Sequence, residues 1–172
     1  MSRADDRFEI QDVLFRYARA VDRLDYDAVA DCYFDDAVDV HGAYSGNAAG
    51  LVEDIRSRHR TIDSSQHFIS NVLVEFTGDD SADVESYCLC FLRQAPVEPG
   101  GEQDLAIIRC RYVDRFERRN GAWGIADRVV VFDESRVVRM TDTLDPAWVA
   151  SQRDGSDPVF TWGHRTPVVN GA

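Results

Sequence analysis

The sequence contains no lysine, and all 19 of its basic residues are arginines. Enzymes that form a Schiff base through a lysine, including those that anchor pyridoxal phosphate in this way, are therefore excluded. P-loop nucleotide hydrolases are excluded as well, because their phosphate-binding loop requires a lysine. The absence of lysine therefore excludes Schiff-base enzymes and P-loop nucleotide hydrolases.

Positive charge is scarce in general, since 31 acidic residues outnumber the basic ones and the net charge is −12. The arginines are dispersed among Asp and Glu. Such a surface repels the phosphate backbone, which supplies most non-specific affinity for nucleic acids. We therefore expect no nucleic-acid partner.

Long apolar runs are also missing. No run approaches the roughly 20 residues that a membrane helix needs, and residues 1–6 lack the apolar region of a signal peptide. We expect a cytoplasmic protein with no membrane partner. A chain of 172 residues, 44% of them apolar, is long enough for one substantial core.

The four cysteines, Cys32, Cys88, Cys90 and Cys110, show no CxxC spacing. Cys88 and Cys90 are two residues apart in a predicted strand and share a face, which would suit a metal. No His or Cys pair follows at the spacing of a zinc site, however. The pattern favours buried, reduced thiols, and we expect neither a metal nor a cofactor.

Apolar periodicity predicts helices in the first third of the chain. Spacings of three and four residues predict an amphipathic helix over 5–24, with Ile10, Leu14, Tyr17, Val21 and Leu24 on its apolar face. Further helices are predicted over 26–33 and 48–60.

After Ser65 the composition becomes typical of strands, which are predicted up to Phe76 and over 82–93, 104–118 and 123–132. An Asn-Gly pair at 120–121 predicts a hairpin between the last two. Helices followed by an antiparallel meander indicate an α+β domain over 1–135, with the sheet curled around the helices and a pocket inside.

The remaining residues, 136–172, form an extension that is too apolar for a disordered tail and too interrupted by proline for regular structure. We expect a short helix near Trp148. The rest is expected to pack on the domain as a lid or as an oligomer contact.

Asp22 and His67 are the residues whose types suit acid–base chemistry. Asp22 lies near the end of the first helix, at the border of its apolar face. His67 opens the first long strand, where alternation places it with Ile69 and Asn71, and places Phe68 on the opposite face. A pocket histidine paired with a carboxylate is a general base whose tautomer the carboxylate controls. The residues alone leave open a surface carboxylate and a structural histidine.

Three segments carry a resemblance to a known family: IQDVL at 10–14 with VD at 21–22, QHFISN at 66–71, and FERRNGAW at 116–123. Together they resemble the SnoaL-like branch of the nuclear transport factor 2-like superfamily. Within it they are similar to the group that contains scytalone dehydratase, hexachlorocyclohexane dehydrochlorinase and bile acid 7α-dehydratase. The resemblance implies a cone-shaped α+β barrel, in which a curved antiparallel sheet wraps the N-terminal helices.

The same resemblance implies that Asp22 and His67 form a catalytic pair and that Tyr17 and Arg128 face the substrate. The residues alone also allow Tyr17 to be ordinary core, and Arg128 to be a strand-edge arginine paired with Asp114 or Glu117. Asn71 and Tyr44 are further candidates for lining the pocket.

The function implied is a cofactor-independent lyase, either a dehydratase or a dehydrohalogenase, that acts on a hydrophobic cyclic molecule in a cavity of roughly 300–1,000 Å³. One alternative is a ketosteroid isomerase-like isomerase or a polyketide cyclase. Another is a non-catalytic ligand-binding module or the small subunit of a ring-hydroxylating dioxygenase. A homodimer or homotrimer is expected.

Overall fold

The computed structural model describes residues 2–98, 100–141, 144–145 and 147–160. The described elements, in chain order, are α1 (Arg3–Arg23), α2 (Tyr26–Ala30), β1 (Tyr33–His41), β2 (Tyr44–Asn47), α3 (Ala48–Arg58), a 3₁₀ turn (His59–Thr61), β3 (Ile62–Phe76), β4 (Ser81–Gln94), β5 (Gln103–Arg119) and β6 (Ala122–Met140). The strands form one curved, unclosed sheet in the order β2-β1-β6-β5-β4-β3. Only β1 and β6 pair in parallel within it. The predicted α+β class is confirmed.

Helix α1 has the boundaries that its sequence predicts to within two residues. Ser2 caps its start, because the Ser2 hydroxyl accepts from the backbone N–H of Asp5 while the Asp5 carboxylate accepts from the backbone N–H of Ser2. Leu24 ends it in the left-handed conformation, at φ 55°. Its apolar face packs against β3 and is buried at Ile10, Leu14, Tyr17 and Val21.

Strands β1 and β2 were not predicted. The helix predicted over 26–33 ends at Ala30, and Tyr33 already begins β1. The sequence of β1 does not predict a strand, because it contains Asp35, Asp36 and Asp39 and aspartate is unfavourable in sheets. Asp39 is nevertheless fully buried, and its carboxylate accepts a hydrogen bond from the Tyr33 hydroxyl at 2.7 Å.

Strand β3 contains a bulge that changes which side chains face inward. The pairing with β4 shifts between Ser70 and Leu73, and Asn71 has a φ of 49°. Before the bulge the inward-facing residues are odd-numbered, and after it they are even-numbered. The prediction that Asn71 shares the face of His67 is therefore wrong, because Asn71 is exposed. Ile69 does share that face, and Phe68, 48% exposed, lies on the opposite one, as predicted.

The last strand extends further along the chain than the sequence predicts. Strand β6 continues to Met140, across the boundary expected at residue 135. The short helix expected near Trp148 is absent from the described residues, where Ala147 and Trp148 form a turn and a bend. Residues 161–172 lie outside the described part of the chain. None of the described helices has both the length and the apolar character needed to cross a membrane.

Candidate functional site

Asp22 and His67 are in direct contact. The last turn of α1 carries Asp22 to the start of β3, where Oδ1 of Asp22 lies 2.6 Å from Nδ1 of His67. The second carboxylate oxygen accepts a hydrogen bond from the backbone N–H of His67 at 2.9 Å. Two contacts to one residue fix both the carboxylate and the plane of the imidazole ring. The other ring nitrogen, Nε2, is the one directed away from Asp22, toward Cys90.

Cys90 contacts the second nitrogen of the His67 imidazole ring, Nε2. Its Sγ lies 3.2 Å from Nε2 of His67, and the two residues are direct partners across β3 and β4. The thiol is buried, with 4% of the residue exposed. Cys90, His67 and Asp22 therefore form a continuous hydrogen-bonded line from β4 through β3 to α1.

These contacts set the protonation of the pair. Burial lowers the pKa of His67, but the hydrogen bonds with Asp22 and Cys90 outweigh it and raise the pKa to about 10. Burial raises the pKa of Asp22, but the interactions with His67 outweigh it and lower the pKa. At neutral pH the pair is therefore an imidazolium and a carboxylate.

A cavity of about 190 Å³ opens beside His67 and Cys90, between α1, α3 and the concave face of the sheet. This volume is below the range expected from the sequence. Its apolar and aromatic lining includes Tyr17, Val21, Ile55, Leu92, Ile108, Tyr112 and Phe132. A larger hollow of about 430 Å³ lies among charged and apolar side chains of β3, β4 and β5, away from the pair.

The polar part of the lining carries no carboxylate. It consists of Arg58, His41 and His59 beside His67 and two cysteines. Burial together with nearby arginines lowers the pKa of both His41 and His59 to about 3, so that both are neutral at pH 7. The cavity therefore suits a neutral molecule, or one on which negative charge develops.

His59 is held by a residue of the C-terminal segment. The guanidinium of Arg153 donates to Nδ1 of His59 at 2.7 Å and to the backbone oxygens of Val21, Asp22 and Ile62. Because a guanidinium only donates, Nδ1 of His59 accepts and the ring proton sits on Nε2. Sequence reasoning missed both residues, and no local spacing links 153 to 59.

Of the predicted substrate-facing residues, Tyr17 lines the cavity and Arg128 does not. Arg128 is 1% exposed, and its guanidinium donates twice to the Asp114 carboxylate, at 2.7 Å each. It stacks on the rings of Tyr17 and Tyr112 at 4.4 and 4.1 Å. The alternative pairing with Asp114 is therefore the correct one, in the core rather than at a strand edge.

Neither Asn71 nor Tyr44 is among the residues that line the cavity. The bulge turns Asn71 to solvent. The Tyr44 hydroxyl donates to the backbone oxygen of Asn47 at 2.5 Å, beside the start of α3.

The chain belongs to the SnoaL-like domain family, whose model matches residues 2–129. The resemblance predicted from the three sequence segments is thereby confirmed. No curated protein is similar enough in sequence to match the chain.

Solved structures share the nuclear transport factor 2-like fold. A putative scytalone dehydratase from Novosphingobium aromaticivorans superposes with a TM-score of 0.70 at 15% identity, over 86% of this chain and 97% of that chain. A type 2 hexachlorocyclohexane dehydrochlorinase gives 0.72 at 20% identity, over 85% and 97%. A putative aromatic ring hydroxylase from N. aromaticivorans gives 0.69 at 23% identity, over 81% and 96%.

Proposed function

We propose that this chain is a cofactor-independent lyase in which His67 removes a carbon-bound proton from a small cyclic molecule. The observation that carries the proposal is the orientation of one imidazole ring: Nδ1 is held by Asp22 at 2.6 Å, and Nε2 lies beside Cys90, which lines the cavity together with His67. A base whose far nitrogen is fixed by a carboxylate presents its near nitrogen in one tautomer.

The reaction uses the neutral form of His67. Nε2 accepts the proton, the electron pair of the C–H bond forms a double bond, and the group on the adjacent carbon leaves with its own bonding pair. Asp22 stabilises the imidazolium that forms, and general base catalysis of this kind contributes about 10²–10⁴ in rate. The contacts that raise the pKa of His67 also make its neutral form a stronger base.

The charge of the lining supports an elimination. Negative charge develops on the substrate and on the leaving group as the proton departs, and no carboxylate lines the cavity to oppose it. The donors that could stabilise that charge are the guanidinium of Arg58, whose Nε is already bonded to Asp54 at 2.6 Å, and the remaining ring N–H of His59.

The size of the cavity limits the substrate. About 190 Å³ is less than the roughly 300–1,000 Å³ typical of drug-sized ligands, and the walls are largely apolar. We infer a hydrophobic compound with a single ring. A putative scytalone dehydratase and a hexachlorocyclohexane dehydrochlorinase are among the proteins of the same fold, and loss of water and loss of hydrogen chloride are both eliminations.

Isomerisation uses the same two residues but returns the proton to another carbon, so the product has the mass of the substrate. Deuterium exchange tests the step that both reactions share. Single-ring ketones with and without a β-hydroxyl or β-halogen are incubated with the protein in D₂O and followed by mass spectrometry.

We expect the α-carbon to exchange in both sets of ketones, and the leaving group to be lost only where it is present. The His67→Gln variant should do neither, and the Arg16→Ala variant, at an exposed pair with Asp12, should match the unmodified protein. Binding of these ketones without exchange or elimination would favour the non-catalytic binding module instead.

A further inference from the structure

Cys90 is distinct among the four cysteines of the chain, all of which are buried. Cys90 and Cys110 line the cavity, but Cys110 is paired across the strands with Cys88. The Cys32 thiol donates to the backbone oxygen of Ala28 and is not among the residues of the lining. Cys90 alone of the four contacts an imidazole, at 3.2 Å from Nε2 of His67.

A thiol next to a base that a carboxylate orients is the arrangement of an activated nucleophile. Here the thiol belongs to Cys90, the base is His67, and Asp22 holds the far nitrogen of the ring. We propose that Cys90 is a nucleophile, and that the cavity adds its sulfur to small alkenes conjugated with a carbonyl group.

The surroundings of the sulfur favour this role over that of an inert buried thiol. Reactive cysteines lie in electropositive surroundings that a ligand can reach. Cys90 faces a cavity whose lining has no carboxylate, and the charged groups of that lining are Arg58 and His67, the immediate neighbour of Cys90, since His41 and His59 are neutral. A thiolate and the enolate that forms from it both carry negative charge, which such a lining stabilises.

The addition is balanced without any further reactant. The step uses the neutral form of His67, as the elimination does: the Sγ–H proton passes to Nε2, and the thiolate sulfur bonds to the β-carbon of the alkene. The π electrons move to the α-carbon and the carbonyl oxygen as an enolate, and Nε2 returns its proton to the α-carbon. One S–H bond and one C=C π bond are replaced by one C–S bond and one C–H bond.

The inference does not depend on the proposed elimination, because it requires neither a leaving group nor an acidic C–H on the ligand. A conjugated ketone is favoured over an ester as the reacting electrophile, since turnover of an ester needs a water molecule to release the acyl group. Addition to an alkene uses only the proton that Cys90 and His67 already share.

The probe is 2-cyclohexen-1-one, with cyclohexanone, which lacks the alkene, as its control. The full chain is incubated with each, treated with borohydride to reduce the carbonyl and prevent reversal, and measured by intact mass and by peptide fragmentation. We expect one added enone on Cys90 and none from cyclohexanone. No adduct, or an adduct on another cysteine, would overturn the proposal.

Three variants test whether His67 activates the Cys90 thiol or whether the thiol reacts only because the ligand can reach it. Cys90→Ala should lose the adduct, while Cys88→Ala, two residues away on the same strand, should keep it. His67→Gln should slow the modification of Cys90 by about 10²-fold if the imidazole takes the thiol proton. An equal rate in His67→Gln, with folding verified by circular dichroism, would mean that Cys90 is not activated. Loss of elimination activity alone leaves these outcomes unchanged.

Discussion

Arg153 donates a hydrogen bond to Nδ1 of His59, so that a residue of the C-terminal segment determines which nitrogen of a cavity histidine carries the proton. The same guanidinium binds backbone oxygens at the end of α1, including that of Asp22. Cations are favourable at this end of a helix, where carbonyl groups lack partners within the helix. Arg153 therefore connects the C-terminal segment to both sides of the candidate site.

Replacing Arg153 should distinguish its effect on the His59 ring from its effect on the stability of the fold. We expect Arg153→Ala to lower the free energy of unfolding by about 1.5–3 kcal/mol, because hydrogen bonds from a charged donor are lost. It should lower kcat with little change in KM, since Arg153 is not among the lining residues. The ¹⁵N chemical shifts of His59 should also change as its tautomer is released.

Arg153→Lys should recover part of the rate, because an ammonium can still donate to His59 but cannot span all the carbonyl oxygens. Arg16→Ala, at an exposed pair with Asp12, is the control. Unchanged ¹⁵N shifts in Arg153→Ala would show that Arg153 does not set the tautomer.

Asp22 and His67 should behave as one functional unit. We expect His67→Gln to lower kcat by about 10²–10⁴, and Asp22→Asn to lower it strongly as well, because each removes part of one proton transfer. The double variant should be little worse than His67→Gln, measured as kcat on the same ketone. Additive losses would indicate that the two residues act in separate steps.

The pH dependence of elimination should follow the neutral fraction of His67. The pKa of His67 is raised to about 10, so its neutral form is a small fraction at pH 7 and grows as pH rises. We therefore expect the rate to rise with pH, reach half of its maximum near pH 10 and level off above it, measured over a range in which circular dichroism shows a folded protein.

Cys90→Ala provides a matched test of that assignment. Cys90 contributes to the raised pKa of His67, so its removal should shift the rise in rate to lower pH. A profile that stays in place would mean that a group other than His67 controls the rate.

Arg128 should matter for stability more than for substrate contact. Arg128→Ala leaves the buried Asp114 carboxylate without its partner, and we expect a loss of about 3–5 kcal/mol in a urea titration. The double variant Arg128→Met with Asp114→Leu should recover much of that loss, because it removes both charges. Arg115→Ala, at an exposed pair, should cost less than about 1 kcal/mol.

The helices and the meander could be predicted because their apolar residues repeat locally. Strand β1 could not, since its acidic residues resemble a loop and its pairing partner, β6, lies far along the chain. Contact between Asp22 and His67 followed from the family resemblance rather than from spacing, because 45 positions separate them.

The contact between His67 and Cys90 could not be predicted from the sequence either, for a different reason. Regular pairing from the turn, where Phe76 lies opposite Ala82, would place His67 opposite Phe91. The bulge moves the partner by one residue, to Cys90. Nothing in the composition of β3 marks that shift, because the non-glycine residue with positive φ is an asparagine, which occurs in many other settings.

The bulge makes the candidate site depend on the length of a strand as well as on its residues. Regular pairing from the turn without the bulge would leave every side chain in the sequence but turn His67 to the outer surface opposite Phe91, since a strand reverses its faces with each one-residue slip. A single-codon deletion within the bulge would instead remove the extra residue and keep His67 opposite Cys90. Members of the family that differ by such a deletion should be compared by strand register before any role is assigned to the histidine.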